Sequence, residues 1–319
     1  MTTEPKTLRV TQAAPAARGI QRFELQDPDG GPLPGFTAGA HVRLKTPSGI
    51  WRSYSLCNDP AQTDRYQIAV KRETAGRGGS VSLIDGVSVG DLIDVQPPEN
   101  QFALDERASR FLLIAGGIGI TPLMSMIQQL EAEGRPYQLV YLSRDPESTA
   151  FLHELRAPER TGQIKVHHDQ GDPSKAMDLW PLLEKPGSLN GLHLYCCGPA
   201  GLMDAVRDMS GHWPASAVHF ESFGVDTQPK ADDQPFEVKL RSSGQVLTVP
   251  VGRSILEVLR EHQLDVPSSC ESGTCGSCKT GLLEGQADHR DMVLMDDEKA
   301  THIMVCVSRA HSSALVIDL

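Results

Sequence analysis

Four of the seven cysteines constrain this chain more than anything else in it. Cys270, Cys275 and Cys278 lie in the run Cys270-Glu-Ser-Gly-Thr-Cys275-Gly-Ser-Cys278, and Cys306 follows after 27 intervening residues, 279–305. C-x4-C-x2-C with one distant cysteine is a spacing by which four thiolates hold a [2Fe–2S] cluster. The loop must fold with its sulfurs inward. Gly273 and Gly276 suit that, because glycine reaches positive φ and admits close backbone approach. Zinc is the competing reading, with His289 or His302 as further ligands. Zinc sites favour paired C-x2-C or Cys/His spacings, and only one C-x2-C occurs here. The cysteine number is odd, and the opening MTTEPKTLRVTQAAP has no apolar core of a secretory signal. A disulfide framework is therefore not expected, and a cytoplasmic location is.

A length of 319 residues suggests two or three domains. The balance of 30 basic against 41 acidic residues, net −11, disfavours nucleic-acid binding and leaves no polybasic patch for a membrane. No apolar run approaches the ~18–20 residues of a membrane span. The first third reads as short strands: Thr7–Thr11, Arg22–Leu25, His41–Lys45, Tyr66–Val70 and Leu92–Val95. Turns such as Gly30-Gly31-Pro32 separate them, which suggests a barrel or sandwich. The middle third alternates. Phe111–Ala115, Gln138–Leu142 and His193–Cys197 read as buried strands, while 122–130 and 202–209 read as helices, so a parallel α/β sheet is expected. Gly224–Gln234 is polar and reads as a linker, with Asp232-Asp233 solvated. From Pro235 the alternation restarts with Phe236, Val238 and Leu240, and Val246–Val249 follows. Ser254 is placed to cap a helix whose buried stripe is Ile255, Val258 and Leu259.

Three further motifs suit cofactors. In Trp51-Arg52-Ser53-Tyr54-Ser55-Leu56, Arg52 can pair with a phosphate, Tyr54 can pack beside a flavin ring, and Ser55 can hydrogen-bond near the flavin N5. In isolation the segment could equally be an edge strand with a solvated arginine. Gly78-Gly79-Ser80 opens a helical segment whose first N–H groups suit a phosphate, and Val70 and Lys71 could offer backbone groups to the flavin edge. Gly116-Gly117-Ile118-Gly119-Ile120-Thr121-Pro122 joins a strand to a helix, with Thr121 as the expected cap and Pro122 as the first helical residue. It is not G-x-G-x-x-G, since Pro122 stands where the third glycine would be. A glycine-rich turn at a helix start still suits a pyrophosphate, and Cys197-Gly198-Pro199 repeats the arrangement at another strand end. Cys57 and Cys196 read as small buried hydrophobes, and His167-His168 as a strand-end pair rather than a metal site.

From Phe236 onward the chain resembles a plant-type ferredoxin domain. R-x-Y-S-L, G-G-I-G-I-T-P and C-G-P occur in the order of the ferredoxin–NADP+ reductase superfamily, and the whole chain resembles the phthalate dioxygenase reductase family. The resemblance implies three domains: an antiparallel β-barrel for FMN (1–104), an α/β parallel sheet for NADH (105–226) and an α+β, β-grasp-like ferredoxin domain (234–319). It implies FMN rather than FAD, held by Arg52 and Gly79-Ser80. It carries over Phe223 as the aromatic covering the flavin, with Glu221 and the Cys197 thiol near the nicotinamide. The implied activity is that of an NADH-dependent reductase, a monomer, feeding a Rieske-type terminal oxygenase or demethylase. A cluster near about −400 mV would reduce a Rieske centre at roughly −150 to +300 mV downhill. A rival reading is an electron carrier whose flavin module is inactive, and another is a reductase for a haem acceptor. Ser143 and Arg144, after the QLVYL strand, are candidates for the nucleotide ribose. One arginine offset by Asp145, with Asp172 nearby, favours NADH over NADPH.

Overall fold

Alternating apolar residues along the first hundred positions become a six-stranded antiparallel sheet. Its strands are β1 (Lys6–Ala17), β2 (Ile20–Gln26), β3 (His41–Lys45), β4 (Trp51–Ser55), β5 (Tyr66–Lys71) and β6 (Leu92–Val95). They lie in the order β4-β3-β6-β1-β2-β5. A bridge between Leu56, just past β4, and Ile68 of β5 joins the two outer strands, so the sheet closes as a barrel rather than a sandwich. Leu8, Val10, Phe23, Leu25, Val42, Leu44 and Val70 fill it, and helix α1 (Gly79–Gly86) adds Leu83 to the same core. β1 runs six residues beyond the expected Thr11. Ala13, Ala14 and Pro15 are poor strand formers, but pairing with β2 carries them, and Pro15 sits at a register shift where a missing N–H is tolerated. The computed structural model describes residues 4–74, 78–158, 160, 162–184, 189–223, 232–268, 271, 273 and 276–319.

The middle third forms β7 (Arg110–Gly116), α2 (Ile120–Ala132), β8 (Tyr137–Ser143), α3 (Leu152–Leu155), β9 (Gln163–His168), α4 (Trp180–Leu183), β10 (Leu192–Cys197), α5 (Ala200–Met209) and β11 (Val218–Glu221). The five strands are parallel, in the order β11-β10-β7-β8-β9. Every residue of β10 is buried, as is all of β7 after Arg110, which is why both read as unbroken apolar runs. Strand order reverses between β7 and β10, and open α/β sheets bind ligands beside that reversal, at the strands' carboxyl ends. The helix after β7 differs from expectation. A 3-10 turn at Gly117–Gly119 leads directly into α2 at Ile120, so Thr121 and Pro122 lie inside the helix. Thr121 does not cap it; its hydroxyl donates back to the Ile118 carbonyl at 3.0 Å.

Contacts divide the chain into two compact units, Met1–Glu221 and Ser222–Leu319. The second holds β12 (Phe236–Leu240), β13 (Val246–Val249), α6 (Ile255–Glu261), β14 (Lys279–Glu284), β15 (Ala287–Asp288), β16 (His302–Met304), β17 (Arg309–Ala310) and β18 (Ala314–Ile317). Its main sheet is mixed, β13-β12-β18-β14-β16, with only β12 and β18 parallel. Helix α6 starts where Ser254 predicts. The Ser254 hydroxyl accepts from Glu257 N at 3.1 Å, and the Glu257 carboxylate accepts from Ser254 N at 2.9 Å. Of the expected linker, residues 224–231 lie outside the described set. Asp233 corrects the sequence reading, since it is not solvated but only 5% exposed. Arg290 pairs with it and with Asp288, and the Arg309 Nε lies 3.6 Å from it. These partners are more than fifty residues away, so a polar flanking sequence gave no sign of them. Among the described residues no helix is long and apolar enough to cross a membrane.

Candidate functional site: a flavin cleft, a nucleotide turn and a cysteine loop

The flavin residues are organised by one contact that only glycine permits. A Cβ on Gly79 would lie 2.9 Å from Arg52 Cγ and 3.1 Å from its Nε, so the arginine lies flat across the first residue of α1. Gly78 caps that helix at φ 81°, in the left-handed region. The result is a guanidinium beside the N-terminus of an eight-residue helix, where N–H groups and dipole both favour an anion. Ser80 holds the approach in place: its hydroxyl accepts from Glu73 N at 3.0 Å. On β4, the Ser53 hydroxyl is buried with no hydrogen-bond partner among the described residues. A buried hydroxyl without a partner costs ~1–3 kcal/mol, and a bound flavin would satisfy it. Tyr54 is half-buried, and burial, partly offset by Arg52, pushes its phenol up to about 12. It therefore packs as a neutral ring. Val70 is inside the barrel and Lys71 outside; β5 is the outer strand there and packs against the Gly117–Gly119 turn.

Ser55, Glu221 and Cys197 come together at the carboxyl ends of the parallel strands. The Ser55 hydroxyl donates to Glu221 Oε2 at 3.4 Å, across 166 residues of sequence. Glu221 is paired in register with Cys197 on the neighbouring strand. Cys197 is fully buried, and burial first, then the Glu221 and Cys196 charges, hold its thiol well above the usual range. It is a neutral thiol at physiological pH, a shape-filling contact and not a nucleophile. Burial likewise pushes Cys57 and Cys196 up to about 12, so both behave as the small hydrophobes the sequence suggests.

The two glycine-rich turns interlock. A Cβ on Gly119 would sit 2.2 Å from the Cys197 carbonyl oxygen. One on Gly198 would sit 2.9 Å from Gly116 Cα, and one on Gly116 would meet Pro199 Cδ and Leu202 at 2.7 Å. Gly117 adopts φ 53°. Backbone thus lies on backbone at the strand-order reversal, and the start of α2 is left without side-chain bulk in front of it. Ser143 ends β8, but its hydroxyl is bonded to Thr149 at 2.7 Å. Arg144 is exposed and lies against Gly171. The expected offset by Asp145 is corrected here. Asp145 caps the following turn through Ser148 N at 2.8 Å and pairs with Arg18, so it is turned to other partners.

In the second unit, Cys278 and Cys306 are each 2% exposed and belong to its hydrophobic core. Cys270 and Cys275 lie outside the described residues. Gly273 and Gly276 have φ of 74° and 81°, the conformations anticipated for a loop wrapped about a cluster. A Cβ on Gly273 would meet Val307 Cγ2 at 2.7 Å, which packs the loop directly beside the residue after Cys306. Two buried thiols in this setting suit soft metal ligation, which the four-cysteine spacing completes. Phe223 is 46% exposed at the start of this unit.

Residues 7–104 match the oxidoreductase FAD-binding domain family, residues 113–208 the oxidoreductase NAD-binding domain family, and residues 238–311 the 2Fe-2S iron-sulfur cluster binding domain family. The phthalate dioxygenase reductase of Burkholderia cepacia is 57% identical over 313 residues, 98% of this chain and 97% of the relative. A solved phthalate dioxygenase reductase, described as a modular structure for electron transfer from pyridine nucleotides to [2Fe–2S], superposes with a TM-score of 0.89. It is 57% identical, with 99% of this chain and 98% of that one covered. An intact type IV self-sufficient cytochrome P450 monooxygenase is 35% identical, with a TM-score of 0.72 over 100% of this chain and 42% of that one.

Proposed function

The chain belongs to the phthalate dioxygenase reductase family, and on that premise we propose that it is the cytoplasmic, monomeric reductase component of a two-component oxygenase, using NADH and FMN and delivering electrons to a Rieske-type terminal oxygenase or demethylase. It is an oxidoreductase in which electrons pass from NADH to a flavin and on to a [2Fe–2S] cluster. What the bound groups supply is exchange between a hydride and single electrons. The observation that carries the site reading is the meeting of Ser55, Glu221 and Cys197 at the carboxyl ends of β10 and β11. Ser55 offers its hydroxyl where the reacting flavin edge would lie. The neutral Cys197 thiol and the Glu221 carboxylate line the nicotinamide side. Arg52 with the start of α1 binds the flavin phosphate, while the interlocked glycines and Pro199 leave room for the nucleotide pyrophosphate. Cys270, Cys275, Cys278 and Cys306 hold the cluster.

Arg52 lying across Gly79 supports a terminal phosphate at that point. Flavin released from the purified protein by heat or acid should chromatograph as FMN; FAD as the major species would refute this. For the nucleotide, Arg144 lies against the Gly171 turn, whose neighbours Asp169 and Asp172 are both acidic. Asp169 accepts from Gly171 N, and Asp172 caps Ser174 and pairs with Lys175, so a 2′-phosphate would meet two carboxylates beside two cations and no net positive charge there. The ratio of kcat/KM should favour NADH over NADPH at least about tenfold, a difference of ~1.4 kcal/mol, and a preference for NADPH would overturn the assignment.

The likeness to a self-sufficient cytochrome P450 supports a second reading, delivery to a haem acceptor. Anaerobic incubation of catalytic amounts of the reductase with NADH and either a Rieske-type oxygenase or a P450 haem domain separates the two. The first reading requires faster reduction of the Rieske centre, and the second requires faster reduction of the haem.

A further inference from the structure

A second cluster of ligating side chains lies in the first unit. His193 on β10 and His219 on β11 lie side by side with Nδ1 and Nε2 3.0 Å apart, their stacked ring planes 16° from parallel. The Asp105 Oδ2 lies 3.9 Å from the same His193 nitrogen, and the three donor atoms all fall within 4.8 Å of one another. We propose that Asp105, His193 and His219 form a binding site for one divalent transition metal ion, with zinc the best fit.

Two imidazoles and one carboxylate are a donor set that zinc accepts, with water completing a tetrahedron. In a tetrahedral site with bonds of roughly 2.0–2.1 Å, donor atoms stand about 3.3 Å apart. The two distances above bracket that value, so small side-chain rotations bring the atoms into place. In the metal-free arrangement one ring N–H donates to the other ring. Metal binding needs that proton to move to the far nitrogen of the same ring, with no net proton released. Supporting groups are already fixed. The Tyr195 ring stacks on His219 at 4.3 Å between centroids, and the Tyr195 hydroxyl accepts from Asp105 N at 2.7 Å. Arg107 and Arg135 are opposing charges: Arg107 donates to both Asp105 oxygens, at 2.9 and 2.6 Å, and Arg135 donates to the Asp105 carbonyl at 3.3 Å. Each carboxylate oxygen has a second lone pair, and Arg107 is exposed enough to swing away.

The site would tie the segment leaving the barrel, where Asp105 lies, to the two strands that end in Cys197 and Glu221. The test is a zinc sulfate titration of the complete flavin- and cluster-loaded protein, followed by calorimetry and by metal analysis after dialysis. The visible flavin and cluster bands must stay constant, so that zinc taken up is not zinc that has displaced iron. One zinc per chain is expected, with a raised melting temperature. Affinity should fall by ~100-fold or more in H193Q and in H219Q, since even outer-shell changes cost 10–100-fold at metal sites. Each variant stands in for the other should one fail to fold. No stoichiometric uptake, or uptake of unchanged affinity in H193Q or H219Q, overturns the proposal.

Discussion

A Cys306→Ser variant should still be reduced by NADH at its flavin while losing its power to reduce a protein acceptor. Serine replaces a soft thiolate by a hard oxygen that holds iron poorly, and it places a hydroxyl in the core where Cys306 is 2% exposed. The cluster is lost or becomes labile. Cytochrome c reduction should fall at least about 100-fold, the scale on which far smaller changes act at metal sites. Small acceptors that take electrons from flavin should turn over as before, because Met1–Glu221 is a compact unit in its own right. Cys275→Ser should behave the same way. Ser55→Ala should show the mirror image, an intact cluster with flavin reduction slowed by about 100-fold through loss of one positioned donor. Wild-type cytochrome c reduction in Cys306→Ser would take the cluster off the electron path.

Gly119→Ala should cripple the nucleotide site through backbone collision alone. The new methyl group would lie 2.2 Å from the Cys197 carbonyl oxygen, 2.5 Å from its carbon and 2.8 Å from Gly198 N. None of these atoms belongs to a side chain that can swing away, so the two turns must separate. Overpacking of this kind costs about 3 kcal/mol, and a unit of this size loses ~2–4 °C in Tm per kcal/mol. NADH-driven flavin reduction should drop with it, since the displaced backbone carries both Cys197 and the start of α2. Gly201→Ala is the internal control. Gly201 lies in α5 with nothing within 4 Å of a Cβ, so alanine there should be neutral or add ~0.5–1 kcal/mol. Equal losses in the two variants would mean that the interlocked turns do not matter.

What the sequence made legible was local. The cysteine spacing, the Arg52–Ser55 strand, the helix opened by Gly78-Gly79 and the Ser254 cap all place their determinants within a few residues of one another. Periodicity then found most strands, because β7 and β10 are buried on both faces and the barrel strands on one. What stayed hidden depends on contacts between distant segments. No spacing rule links Ser55 to Glu221, or Gly119 to Cys197. Asp233 looked solvated because its neighbours are polar, yet Arg290 and Arg309 reach it from the far end of its unit. Asp145 looked like a screen for Arg144 because they adjoin, but a helical-turn cap and Arg18 claim it. Thr121 looked like a cap because threonine is a good one; the 3-10 turn before it moved the helix start forward. Asp105, His193 and His219 escaped for the same reason, since one loop residue and two strand residues from separate segments leave no motif.

The central claim is that electrons reach the cluster only through the flavin. Anaerobic rapid mixing with NADH, monitored at the flavin absorbance and by freeze-quenched paramagnetic resonance of the cluster, tests it on the intact protein and on protein stripped of flavin. In the intact protein, flavin bleaching should come first and reduced cluster should appear afterwards. In flavin-free protein the cluster should stay oxidised. Cluster reduction by NADH without flavin, or a bleached flavin beside a cluster that never reduces, would contradict the account.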